Sequence, residues 1–193
     1  LASPGFVDTW TAFFADQLMI QGSGKGPETF HHWLRTQVAS NRPYDDWVRE
    51  LLNATGPFDE VGPANFFLLA SDPRDLSEHV SRIFLGIQIG CARCHAHPTD
   101  RWTQDDHHRF ASYFARLDRA GGRLSVAATG EVEHPKTQRP GKPRPLGAES
   151  WDQSGAADRR TDLAAWMTDP GNPFFARALV NRVWERLLGH GLI

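Results

Sequence analysis

Two cysteines, three residues apart and followed at once by a histidine, are the only thiols in the 193 residues: Cys91-Ala92-Arg93-Cys94-His95. Such a chain has no disulfide framework to lean on, so its fold must come from a hydrophobic core, and the thiols must act as a local pair. The length suffices for one good core, or one domain and part of another.

The spacing carries chemistry. Two thiols on one helical turn match the two vinyl groups of a haem, and the next imidazole then lies under the iron, as in c-type haem attachment. Ile83, Phe84 and Ile87 before the motif, with Trp102 and Phe110 after it, are candidate walls for such a pocket. Met19, Met167, His107 and His108 are candidates for a sixth iron ligand, although Met167 reads more simply as core and His107-His108 as solvated residues of a first helical turn. A zinc site built from Cys91, Cys94, His95 and His97 is the competing reading. A thiol–disulfide pair is the third, although a redox C-x-x-C normally sits in a βαβ setting, and the sequence has no such alternation.

Apolar spacing around the motif is helical. Phe30, Trp33, Leu34 and Val38 form one stripe, and Trp47, Val48, Leu51 and Leu52 form a second. Asp72 reads as an N-cap with Pro73 at the first helical position. The stripe it opens, Leu76, Val80, Ile83, Phe84 and Ile87, runs toward Cys91 and predicts the motif at a helix end. Thr103 with Asp106 reads as a capping box for the next helix. Gly121-Gly122, Gly130 and the run Arg139–Pro145 break helices, so residues 120–150 are expected to form a loop or a small hairpin, with Leu124–Ala128 turning back at Gly130 toward Val132. Leu163, Trp166 and Met167 mark another helix. After Asn172-Pro173, a last one carries Ala176, Leu179, Val180, Val183, Trp184 and Leu187. The expectation is a mainly α, multi-helix orthogonal array. It divides into a helical motif-bearing domain over 1–118, a linker over 119–160 and the start of a second helical domain over 161–193, with both ends cut from a longer polypeptide.

Charge and motifs exclude several functions. A formal net charge of −2 offers no surplus to neutralise nucleic-acid phosphates. No run approaches the roughly 20 apolar residues of a membrane-spanning helix. There is no G-x-S-x-G, P-loop, dinucleotide fingerprint or H-E-x-x-H. The carboxylate pairs Asp45-Asp46 and Asp105-Asp106 fall in first helical turns, where they complement the helix dipole rather than suggest catalysis.

The residues Phe84–Pro98, continuing through Asp100-Arg101-Trp102-Thr103, resemble the planctomycete cytochrome-associated family known as domain of unknown function 1549. The tail, from Leu163-Ala164-Ala165-Trp166 through Asn181-Arg182-Val183-Trp184 to Gly189-His190-Gly191-Leu192, resembles the opening of its usual partner, domain of unknown function 1553. The start, Leu1-Ala2-Ser3-Pro4, resembles the middle of the first family's N-terminal helical region. The resemblance implies a large exported protein with Cys91, Cys94 and His95 as haem-attachment residues, while His97, Pro98 and Trp102 belong to the signature without an assigned role. The motif itself leads to the expectation of a haem c-binding, electron-transfer-type module with an unnamed redox partner. Its chemistry and the resemblance together place it outside the cytoplasm, and no direct catalysis is expected of this segment. The metal-binding alternative would be a structural or polysaccharide-associated protein without haem.

Overall fold

The structure is a computed structural model that describes residues 3–148 and 157–192. Residues 149–156 of the expected linker, together with Leu1, Ala2 and Ile193, lie outside the described residues. Helices dominate, and among the described residues no helix is long and apolar enough to cross a membrane.

The first three helices are α1 (Pro4–Gln17), α2 (Lys25–Ala39) and α3 (Tyr44–Asn53). Ser3 caps α1 by accepting the Phe6 amide, and Pro4 follows at a position where a missing N–H costs nothing. Aromatic edges lock the three together: Trp47 of α3 meets Phe14 of α1 at 5.5 Å and Trp33 of α2 at 5.9 Å, both edge-on. After the two-residue strand β1 (Gly56–Pro57), Gly62–Leu68 winds as a 3-10 helix that buries Ala64, Phe66 and Phe67 completely. Gly62 permits its close docking on α2, since a Cβ there would come within 2.7 Å of the Thr29 carbonyl and of Trp33.

α4 (Pro73–Val80) begins as its sequence demands, with the Asp72 carboxylate accepting the Arg74 amide at 2.7 Å and Pro73 in the first turn. The helix then widens into a π turn over Ser81–Leu85 and stops at Gly86, whose φ of 68° suits glycine. The apolar stripe therefore ends five residues short of Cys91, and the motif opens a separate 3-10 turn, Gly90–Arg93. α5 (Gln104–Ala111) starts with the reciprocal Thr103–Asp106 capping box. Aspartate serves here in place of the usual glutamate.

The hairpin forms with a different partner from the expected one. β2 (Leu117–Asp118) and β3 (Arg123–Val126) pair antiparallel with Leu117 opposite Val126, and β1 adds to the other edge with Gly56 opposite Leu124. Gly121 and Gly122, both at positive φ, supply the turn. Gly130 instead lies against the Ala115 carbonyl, where a Cβ would be only 2.3 Å away, and Val132 is buried outside any strand.

α6 (Arg160–Met167) and α7 (Phe175–Leu188) complete the chain. Leu163, Ala164, Met167 and Phe175 belong to the same hydrophobic core as Leu34, Leu51 and Phe84. Arg160 has no exposed surface. Its guanidinium is bound by Asp158 and the Ala54 carbonyl, and it stands 4.7 Å from the centre of the Phe67 ring. Burying a cation with its hydrogen bonds satisfied is tolerable, whereas burying it alone is not. Asn172 accepts the Phe174 and Phe175 amides, so its side chain receives the first N–H groups of α7 from two residues before the Phe174 cap position. Farther along α7, Arg182 donates to the carbonyls of Arg82 and Ile83 in the π turn. The outer face of α7, with Val180, Trp184, Leu187 and Leu188, remains exposed.

Candidate haem-attachment site

The motif turn has two faces. Outward lie Cys91 and Cys94, both free and exposed, and the exposed ring of His95. The Nδ1 atom of His95 donates to the Ala96 carbonyl at 2.7 Å. A carbonyl can only accept, so Nδ1 carries the proton in this bond and the neutral ring keeps its Nε2 lone pair for a metal. His97 is committed differently: its Nδ1 accepts the Thr99 amide at 3.3 Å, and its own amide donates to the Trp102 carbonyl at 2.8 Å, closing the 97–102 loop.

Inward, the turn is tied down through the Arg93 side chain and through the Arg93 and Cys94 carbonyls. Ala92 is completely buried. Arg93 faces three carboxylates spaced along α4 and its cap: it bonds Asp75 and lies 3.7 Å from Asp72 and 3.8 Å from Glu78. The Asp75 bond, followed by the charges of Asp75, Asp72 and Glu78, holds the guanidinium above its already high pKa range. From α5, Gln104 Nε2 donates to the carbonyls of Arg93 and Cys94 at 3.0 and 3.1 Å, and His108 Nε2 donates to the Arg93 carbonyl at 3.1 Å. His107 Nε2 donates to Glu78 at 2.9 Å.

His107 and His108 therefore correct the expectation of solvated residues, with 0% and 3% of their surface exposed. α5 turns Gln104, His107, His108 and Ala111 onto the core, a helical face drawn largely by polar residues, so an apolar-stripe reading passes over it. Burial, followed by the neighbouring charges of Arg93 and Arg74, lowers the His107 pKa to about 4. Burial likewise brings His108 to about 4, against the opposing effect of its bond to the Arg93 carbonyl. Glu78 is shifted upward by burial. The legible clue was Asp72, Asp75 and Glu78 at three-residue spacing, an acidic face in need of a cation that Arg93 supplies.

The anticipated pocket walls separate into two groups. Ile83, Phe84 and Phe110 are core residues at 4%, 1% and 0% exposure, because they fill the space between helices. Ile87 and Trp102 border a cleft of about 680 Å³ between the Arg82–Gln88 stretch, the Asp100–Trp102 loop and α7, whose lining includes none of Cys91, Cys94 and His95. Met167 is fully buried in the core, and Met19 accepts from Arg82, so these candidate sixth ligands are engaged elsewhere. Among the described residues, no three or more His, Cys, Asp or Glu side chains are grouped to hold a metal ion. The carboxylate pairs are neutralised in place: Arg49 bridges Asp45 and Asp46, and Arg144 bridges Asp105 and Asp106.

The donor set fits covalent haem. Two free thiols on one turn and an imidazole with Nε2 available are what thioether attachment and axial ligation require, and the turn that carries them is fixed from below.

No curated protein and no solved structure matches the chain. Family comparison is informative. Residues 159–193 match PSD1, a protein of unknown function (DUF1553), and residues 1–119, which hold α1 to α5 and the whole Cys-His motif, match PSCyt2, a protein of unknown function (DUF1549). With well over half of its length inside that second match, the chain belongs to the PSCyt2 (DUF1549) family.

Proposed function

We propose that this chain is a haem c-binding, electron-transfer-type module of an exported protein. The observation that carries the reading is the pair of free, exposed thiols on one turn beside a histidine whose Nδ1 is engaged and whose Nε2 is available. Cys91 and Cys94 would hold the group through thioethers, and His95 Nε2 would bind its iron. When bound, the haem would supply one-electron chemistry. The protein's own part is positional: Arg93, Gln104 and His108 hold the turn so that the thiols and imidazole stay on its outer face. Thioether formation takes place outside the cytoplasm, so this chemistry implies an extracytoplasmic location.

The test is a pyridine haemochrome assay on the chain exported alongside haem-maturation machinery. One covalent haem per chain is expected, and its loss in the double substitution Cys91→Ala/Cys94→Ala. Colourless protein under these conditions overturns the proposal, and one equivalent of zinc in its place would establish the metal-binding alternative.

A further inference from the structure

The 680 Å³ cleft beside the motif falls in the size range of small-molecule sites, about 300–1,000 Å³. Four arginines line it, Arg82, Arg101, Arg177 and Arg182, against two carboxylates, Asp100 and Glu185. Two of the four are structurally occupied. Arg182 caps carbonyls of the π turn, and Arg82 is directed to Met19 and His79. They contribute fixed positive charge.

Arg101 and Arg177 differ. Among the described residues, neither guanidinium has a carboxylate within ion-pair distance or a hydrogen-bond acceptor. Arg101 is also pre-positioned, standing 4.7 Å from the centre of the Trp102 ring and 5.8 Å from that of Phe174. Stacking on aromatic faces leaves the N–H edge of a guanidinium free, and that edge matches a flat carboxylate in bidentate fashion. Trp102, 3% exposed, also has a buried indole N–H with no acceptor. Together with Ile87 and Ala178, the rings give the cleft an apolar wall alongside its two uncommitted cations.

We propose that this cleft binds a small dicarboxylate with a flat apolar body, one carboxylate on Arg101 and the other on Arg177. A tetrahedral oxyanion would use the charge but not the aromatic wall.

The test uses the full chain without haem, so its outcome is independent of haem attachment. The probe is isophthalate, with isophthalamide as the uncharged isostere and sulfate as the tetrahedral anion, read by calorimetry and thermal shift. Saturable one-to-one binding of isophthalate is expected, with none for isophthalamide and no competition from millimolar sulfate. Arg177→Gln and Arg101→Gln should each weaken binding by about tenfold, the scale of one charged hydrogen-bonded contact. Among the described residues neither guanidinium makes a hydrogen bond, and an unchanged circular dichroism spectrum checks that each variant is native. Failure of isophthalate to saturate, unchanged affinity in both variants, or equal binding of sulfate would overturn the proposal.

Discussion

Two pairs of histidines stand about twelve residues apart, and the fold treats them oppositely. His95 and His97 lie on the open loop, each with a ring nitrogen tied to nearby backbone. His107 and His108 are packed between α4 and α5, bonded to Glu78 and to the Arg93 carbonyl. The same side chain is thus a candidate ligand at one place and a structural strut at the other. The strut supports the very turn that carries the ligand. A surface motif needs a buried frame if its donors are to hold one geometry.

The sharpest way to break this contrast is to truncate one member of each pair. His107→Ala empties a fully buried site and leaves Glu78 without its donor, so a loss of about 3 kcal/mol in unfolding free energy is expected from denaturant titration. His95→Ala, on the exposed loop, should change the same quantity by less than about 0.5 kcal/mol. Equal costs for the two would erase the distinction.

Acid should find the same difference. The folded-state pKa values of His107 and His108, about 4, lie below the 6.5 of the unfolded chain. Between those values the unfolded state binds more protons, so stability is full above about pH 6.5 and is lost as pH falls toward 4, at roughly 1.4 kcal/mol per histidine for each pH unit crossed. Melting temperatures measured from pH 7.5 to 4 should fall through this window, and His108→Gln should flatten part of the slope. A profile that stays level down to pH 4.5 would show that the buried pair is not what senses acid.

Smaller effects refine the picture. Gln104→Ala removes the donor shared by the Arg93 and Cys94 carbonyls, and a cost of about 1–2 kcal/mol is expected, with faster amide hydrogen exchange confined to residues 90–95. Thr103→Ala opens the capping box of α5 and should cost about 1 kcal/mol without altering exchange in the motif turn.

Local rules were enough for much of the fold. Asp72-Pro73, Thr103 with Asp106, and Asn172 stand at helix starts because their side chains satisfy amides that no helix can satisfy internally. The stripe of α3, and Phe30 and Leu34 of that of α2, face the core because apolar residues at helical spacing leave no other way to bury them, while Gln37 rather than Val38 is the buried residue in the last turn of α2. The hairpin was harder to place. Its turn depends on Gly121-Gly122, and its strand partners come from both Leu117-Asp118 and Gly56-Pro57, one of them more than sixty residues away in the chain.

Covalent order alone places two thiols and an imidazole within five residues, and short-range backbone preference puts the thiols on one exposed turn. Family membership could be read from the same letters. What lies beneath that turn was decided only when α4 met α5. A polar face consisting of Gln104, His107 and His108 becomes an interior one because the Arg93 carbonyl and Glu78 are there to receive its hydrogen bonds and Arg74 to donate one to His108. Pairing between distant segments leaves no periodic trace in either of them, since complementarity belongs to the contact and not to the strand of sequence on each side.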